Sequence, residues 1–592
     1  MPGISVVTNP PGIETVSDAL QSVCLRDEYG YTLEYSSDSV VLGHSGYEQY
    51  PIRVFEFDDY TAVLEGHIYD ARELEKTVSS VTHWIETGNL DRLGEWAATT
   101  DGEFLLVILG ADGSVWAVND PLGRLPTYRA TIGETTVMSR ELGVVRSLAR
   151  EMDGDLRPDH LGIGQVLLFG YPLGTRTLFA DVAQLPPASC VDLTAGTTQS
   201  LFELRFDIHR TDLDFEAHVD RLCDRFISAC KNRASVVDTS LVSLSGGLDS
   251  RAVIAGYSHV DCPLGAVTSA RRDGGNAAEV EVASHVAEAL DVPWRSYEAD
   301  WRDEHERFLL RATQGMNTLG MSIGVDFVDQ VSAQEPGRTM LLTGDGGDKA
   351  LPDLRPRGHL KTPEDLLESI LANNHVFPVE EVSRMLPIDR ERILDSVRER
   401  LDEYPETTLD AKYVHFLVRE RGINWLNHGE DRTRYFLWSS SPFYALPFFS
   451  AAMACPPVHK RRTTLYRAFL ARLSPEAVSI DYVDFGAPID SIEYRLKRYA
   501  YDWLSQHPGI TAQLSRLHRD ADASHTAEAA AKLEALGGVN AGTDSVIPES
   551  ELDELVDNHT QFSRKQLFIV YTVRAALADQ VASDRTAVAQ FG

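Results

Sequence analysis

The chain has 592 residues, enough for more than one domain with a full apolar core, and a formal net charge of −34 at pH 7. Such a surface repels nucleic-acid backbones and anionic membranes, which excludes both as partners, and its acidic, Lys-poor balance is that of proteins in a high-salt (halophilic) cytoplasm. No apolar run reaches the ~18 residues that span a bilayer, the N-terminus lacks a charged region followed by an apolar core, and the six cysteines are scattered without a C-x-x-C pair, so a soluble chain in a reduced, cytoplasmic compartment is expected.

In chain order, residues 1–205 read as short strands and turns with two or three helices. Ala62 to Asp70 is a strand and turn, Ala71 to Glu86 is helical in pattern, and Phe104–Leu109 and Val115–Val118 flank Gly110-Ala111-Asp112-Gly113 as a hairpin. Antiparallel pairing is expected throughout this half. From about Phe215 the texture changes to apolar runs alternating with amphipathic helices, the pattern of a parallel α/β sheet, which places the second domain at 206–592. Asp520 to Gly542, rich in Ala, Asp and Gly, is the expected mobile insertion.

Two stretches of the second half carry chemistry. Leu241 to Leu244 end a buried strand, Ser245-Gly246-Gly247 make a tight turn, and Arg251 to Ala255 open a helix. A strand, Gly-rich loop and helix in that order point backbone N–H groups and the positive end of the helix dipole into one concavity, which suits a pyrophosphate. Asp249 cannot grip an anion itself, so its role there is to hold a Mg²⁺ that bridges to the phosphates, while Ser245 and Ser250 add hydroxyl donors. No Lys follows the glycines, so this is not the loop of kinases and GTPases. The plain alternative is an ordinary strand-to-helix turn. Further on, Leu341-Leu342-Thr343-Gly344-Asp345-Gly346-Gly347-Asp348 ends another apolar run. Alone it could be a turn or a weak Ca²⁺ loop; beside the first loop, at the carboxyl edge of one parallel sheet, it reads as the other half of an ATP·Mg²⁺ site.

These stretches resemble the asparagine synthetase family of two-domain amidotransferases, with its β-lactam synthetase and lasso-peptide cyclase branch. Coverage runs from Met1 to about Ile489, with a weaker echo at Phe568 to Leu577. Met1-Pro2-Gly3-Ile4 sits where the family has Met-Cys-Gly-Ile, and Glu65 to Asp70 where it has Asn-Gly-Glu-Ile-Tyr-Asn. Asp120 to Tyr128 and Leu185-Pro186-Pro187 match two further motifs, and Ser245 to Ser250 fits the pyrophosphate loop at every position. The resemblance implies an N-terminal Ntn-hydrolase-like αββα sandwich (1–205) and a C-terminal doubly wound parallel α/β ATP-pyrophosphatase (PP-loop) domain with a helical C-terminal region (206–592). It implies ATP and Mg²⁺ as cofactors, with Asp249 and Asp348 as metal ligands. Ser245, Gly246, Gly247, Ser250, Gly344 and Gly346 would cradle phosphates, Thr268 and Ser269, after an apolar strand, would contact adenine and ribose, and Asp345 would act as general base. Glu279 falls where the family has an Asp-Glu pair, with Ala278 replacing the Asp; a solvated helix face is the equal alternative.

The departures set what such a protein can do. Glutamine-hydrolysing relatives use an N-terminal cysteine whose α-amine takes the proton; Pro2 has no nucleophilic side chain. Glu65 stands where the resemblance places an oxyanion-hole Asn, and Ile480-Asp481-Tyr482-Val483-Asp484 lacks the Lys that relatives use in acyl transfer. Lys460, Arg461 and Lys349 are the substitute cations to consider. The Glu-x-Arg expected upstream of Ser441-Pro442-Phe443 has become Trp438-Ser439-Ser440, while Glu430-Asp431-Arg432 keeps an Asp-Arg pair. The expected function is an AMP-forming ligase that adenylates a small-molecule or peptide carboxylate and joins it to ammonia or an amine, as in asparagine biosynthesis or the cyclase branch, without glutaminase activity. The alternative is a non-catalytic or regulatory ATP-binding protein. A homodimer is the expected assembly.

Overall fold

The computed structural model describes residues 2–152, 154, 156–335, 337–356, 358–504, 523–537 and 546–578. It is mixed α/β, with two six-stranded antiparallel sheets followed by a five-stranded parallel one.

In the first half, strands β1 (Gly3–Thr8), β2 (Gly30–Ser36), β3 (Val40–Gly46), β4 (Ile52–Glu56), β5 (Tyr60–Ile68), β6 (Gly102–Gly110), β7 (Val115–Asn119), β8 (Tyr128–Ile132), β9 (Thr135–Ser139), β10 (Val182–Gln184), β11 (Ser189–Asp192) and β12 (Thr197–Ser200) form sheets of order β10-β8-β9-β1-β3-β2 and β12-β11-β7-β6-β5-β4. The β6 sequence shows why they stack. Leu105, Val107 and Leu109 point one way, into a core shared with Ile4 and Val6 of β1. Phe104, Leu106 and Ile108 point the other way, onto Val78, Val81 and Ile85 of the helix Leu74–Glu86. Successive side chains on a strand alternate faces, so a strand with an unbroken apolar run is buried on both. On the far side Val7 packs with Leu20 and Leu148 of the helices Ile13–Ser22 and Leu142–Met152, completing four αββα layers. The hairpin expected around Gly110 to Gly113 is present, with Gly113 at φ 85.

In the second half, β13 (Thr239–Ser243), β14 (Leu264–Arg271), β15 (Trp294–Ala299), β16 (Thr339–Leu342) and β17 (Trp438–Ser440) pair in parallel in the order β15-β14-β13-β16-β17. The chain winds outward from β13 in one direction and then, through β16, in the other. Val242 lies opposite Leu342, so the loops leaving β13 and β16 emerge side by side at the reversal, the place where open α/β sheets form a crevice. Helix Phe215–Ala234 leads into this sheet; the Asp214 side chain accepts the Ala217 N–H at 2.9 Å, and Lys231 and Arg233 sit in its last turn, each favourable for the helix dipole.

The two halves share their cores: Val7, Leu309 and Val570 belong to one apolar cluster, Ile4, Val242 and Phe469 to another. All six cysteines are unpaired, and among the described residues no helix is long and apolar enough to cross a membrane. Of the stretch expected to be a mobile insertion, 520–522 and 538–542 lie outside the described residues, whereas Ala523–Gly537 is a helix that buries Ala529 and Leu533 one turn apart. Lys532 fixes it to Glu306 (2.6 Å) and Asp303 (3.2 Å). Its alanines, which made it look like a linker, are the side chains that let it pack closely.

Candidate active site

The loop after β13 closes on itself. The Ser245 N–H donates to Ser250 Oγ (3.0 Å), the two serine hydroxyls lie 3.0 Å apart, and the Gly247 N–H donates to Ser245 Oγ (3.2 Å). Helix Leu248–Tyr257 then starts at once, with Asp249 in its first turn. Thr268 ties the loop to the neighbouring strand: its hydroxyl donates to the Leu244 carbonyl and receives the Trp294 indole N–H, both at 2.8 Å. Thr268 and Ser269 therefore lie inside β14, which runs on to Arg271, rather than after it. A Thr-Ser pair reads as a strand end from sequence, but here the Thr hydroxyl is consumed by the sheet itself. Glu279 is exposed in the first turn of helix Ala277–Ala289, and its Cα would lie 3.3 Å from a Cβ on Gly246.

The loop after β16 presses against the first without space for side chains. A Cβ on Gly344 would stand 2.5 Å from the Ser250 amide nitrogen, and one on Gly347 would stand 2.5 Å from Asp249 Oδ1. Gly346, at φ 95, turns the loop against the Tyr444 ring. This close approach brings Asp249, Asp345 and Asp348 together. Burial, and next the Asp348 charge, push the Asp249 carboxyl up to about 7, although the Tyr466 hydroxyl donates to its Oδ1 at 2.6 Å. Burial also raises Asp345, opposed by the guanidinium groups of Arg124 and Arg432. Arg432 is itself lowered to about 10 by burial, with Asp345 acting against that. Asp348 is exposed and pairs with its neighbour Lys349, which is buried. Acids crowded in this way are what a hard divalent cation would relieve, and the oxygen-only donor set fits Mg²⁺.

The surroundings supply cations that the motifs alone did not reveal. Arg251, the residue after the loop, is fully buried and forks across the missing-Lys segment: it donates to the carbonyls of Ala477 (3.1 Å), Ile480 (2.8 Å) and Asp481 (2.8 Å), and to Gly246 (3.4 Å). Val483 covers Gly246 from the same turn. Of the three substitute cations, Lys349 and Lys460 are buried on the wall of one cavity of about 290 Å³ beside the β16 loop, where Lys460 donates to the Ala350 carbonyl at 2.8 Å; Arg461 is exposed. Burial lowers Lys460 to about 8. Arg251 and Tyr466 are the functional candidates that sequence reasoning missed. The only signal for Arg251 was a charged residue adjoining an otherwise apolar helix start.

At the N-terminus Gly3 and Ile4 meet a buried ion network. The Glu65 carboxylate lies over Gly3, where any Cβ would collide with it. It accepts the Ile4 N–H (2.9 Å), the Tyr50 hydroxyl (2.5 Å) and Arg140 Nε (2.9 Å). Arg140 continues to Asp431 (2.7 Å), Asp431 to Arg434 (3.0 Å), and Arg434 to Glu103 (3.2 Å), with Arg124 pairing to Glu430. Burial pushes Glu103 up, but Arg434, Arg124 and Arg233 together outweigh it and hold the carboxyl below its ordinary value. His67, stacked on Tyr69, is pushed down to about 3 by burial and stays neutral. Pro2 is buried, its carbonyl accepting from Tyr50 at 3.2 Å.

No protein-family model matches the chain, and no curated protein does. Among solved structures, a glutamine phosphoribosylpyrophosphate amidotransferase from B. subtilis complexed with ADP and GMP aligns at 12% identity over 69% of this chain and 94% of its own, with a TM-score of 0.24. A second structure, of the allosteric regulatory enzyme of purine biosynthesis, aligns at 10% identity over 71% of this chain and 95% of its own, also at 0.24. At that score the likeness establishes neither a shared fold nor a shared activity.

Proposed function

We propose that the chain is an ATP-dependent, AMP-forming ligase of the asparagine synthetase type, in which the sandwich is a glutaminase-like Ntn scaffold without its own hydrolytic chemistry. The observation that carries the reading is the backbone contact between the loops after β13 and β16, which sets Asp249 against the second loop at the crevice of a parallel sheet. Asp249 and Asp348 would hold Mg²⁺, which would neutralise charge on the phosphates. The amides of Ser245 to Ser250, at a helix N-terminus, would receive the pyrophosphate. The substrate carboxylate oxygen then bonds to the α-phosphorus as the bond to the bridging oxygen breaks, releasing pyrophosphate. Ammonia or an amine next attacks the acyl carbon, AMP leaves, and Asp345, whose carboxyl burial has raised, takes the proton. Thr268, Ser269, Glu279, Gly344 and Gly346 would border the nucleotide.

The filled space above Gly3 supports loss of glutaminase chemistry: Glu65 holds a paired charge where an oxyanion would form. A second reading, an ATP-binding protein without ligase activity, draws on one observation, that the Arg251 guanidinium is occupied by backbone carbonyls. Pyrophosphate release from ATP, measured with a metabolite extract or candidate acids, separates the two. Release that vanishes in Asp249→Ala supports the ligase. ATP binding without release for any acid supports the second reading. Ammonia formed from glutamine above a blank would overturn the scaffold.

A further inference from the structure

Outside the acidic loops, His218, Cys455 and His459 each offer one ligand atom, all within 4.8 Å of one another. His218 sits in the first turn of helix Phe215–Ala234, and the other two are four residues apart beyond helix Leu446–Met453. Pro456 and Pro457 fix the backbone between them. Cys455 Sγ lies 3.9 Å from His459 Nδ1, and the two imidazole rings are 5.4 Å apart. His218 and Cys455 are buried, while the partly exposed His459 leaves a path to solvent. His218 Nε2 lies 3.1 Å from the Arg210 carbonyl, which accepts its proton and leaves the Nδ1 lone pair free. A backbone carbonyl holding the far nitrogen in this way is the usual outer partner of a metal-bound histidine.

We propose that His218, Cys455 and His459 form a binding site for a borderline-soft divalent cation, Zn²⁺ in the first place. One thiolate and two imidazoles are the wrong donors for Mg²⁺ or Ca²⁺ and the right ones for zinc. With Zn–S ~2.3 Å and Zn–N ~2.0 Å, tetrahedral donors stand about 3.3–3.5 Å apart, so the Cys455–His459 pair, at 3.9 Å, is already near that spacing. Three protein ligands leave the fourth position to water. The ion would clamp helix Phe215–Ala234 to the segment carrying Lys460, joining the existing bond from the Arg210 N–H to the Ala454 carbonyl at 2.8 Å. Cys455 and Lys460 both line the 290 Å³ cavity, so the clamp sets one wall of it. The metal titration does not depend on the proposed ligase chemistry.

The test uses the full chain, reduced and stripped with a chelator, and titrated with Co²⁺ and then Zn²⁺. A thiolate-to-cobalt charge-transfer band and the visible bands of tetrahedral Co²⁺, saturating at one equivalent and bleached by Zn²⁺, are expected. Cys455→Ser should abolish the charge-transfer band, His459→Gln should weaken binding at least ~10-fold, and Cys262→Ser should leave both unchanged. Absence of the band in the wild-type chain, a measurement that needs no variant to fold, would overturn the site, as would a band that persists in Cys455→Ser.

Discussion

The carboxyl of Asp249, ordinarily near 3.8, is raised to about 7 by burial and by Asp348, which holds it toward its protonated form. Because the folded value lies above the unfolded one, its contribution to stability is complete in acid and is lost as pH rises through 7. A cation has the opposite demand, since only the carboxylate binds it. Affinity for Mg²⁺·ATP is therefore expected to climb by roughly tenfold per pH unit up to about 7 and then level off, by calorimetric titration at fixed ionic strength. Asp249→Asn should bind weakly at every pH and lose the slope. Tyr466→Phe removes a hydroxyl that favours the charged form, so the midpoint should move to higher pH. A pH-independent affinity in the wild-type chain would sink the assignment of Asp249 as a ligand. Asp345, also raised by burial, is expected to impose its own rise with pH on the acyl-transfer step.

At the next scale, Arg251 makes one unit of two elements that the chain keeps far apart, since its bonds to Ala477, Ile480 and Asp481 cross 226 to 230 residues. Arg251→Ala would strand four carbonyls and free the turn that covers Gly246. A loss of about 2–3 kcal/mol in urea unfolding is expected, with Mg²⁺·ATP bound at least ~10-fold more weakly. Arg251→Lys should recover little, because an ammonium's donors sit on one nitrogen and cannot span carbonyls that two guanidinium nitrogens reach. Unchanged binding in Arg251→Ala would show that the turn does not shape the loop. These contacts also mark what sequence can disclose. Both acidic loops were legible because each ends an apolar run, and the apolar runs Phe104–Leu109 and Val115–Val118 on either side of Gly110 to Gly113 gave the hairpin of the sandwich. Arg251, Tyr466 and the Glu65–Arg140 pair were not legible, because their meaning lies in partners 75 to 230 residues away that no local period reports. The end of β14 was misjudged at Thr268 because its hydroxyl bonds within the sheet, and the Ala523–Gly537 helix because small residues serve close packing as well as they serve a linker.

Over the whole molecule two electrostatic regimes coexist, and salt separates them. The surface carries most of a net charge of −34, whose self-repulsion is screened within about 10 Å at 0.1 M salt and about 3 Å at 1 M. The melting temperature is therefore expected to rise with KCl from low salt to the molar range. The network from Glu65 through Arg140, Asp431 and Arg434 to Glu103 is fully buried, beyond the reach of that screening, and it crosses from the sandwich to helix Asn427–Arg434. Removing one partner of a buried pair leaves an uncompensated charge and costs about 3–5 kcal/mol. Arg140→Ala leaves Glu65 without a cation, while Asp431 keeps Arg434, so a cost within that range is expected. The two effects should add: wild type and Arg140→Ala both gain stability with salt, while the gap between their unfolding free energies stays constant. A gap that closes as KCl rises would mean that water and ions reach the network. In that case Glu65→Gln, which keeps the volume over Gly3 and the hydrogen bond from Ile4, should cost almost nothing. With the network dry, Glu65→Gln leaves Arg140 with Asp431 as its remaining anion and is expected to destabilise by less than Arg140→Ala but measurably, about 1–3 kcal/mol in the same denaturant series.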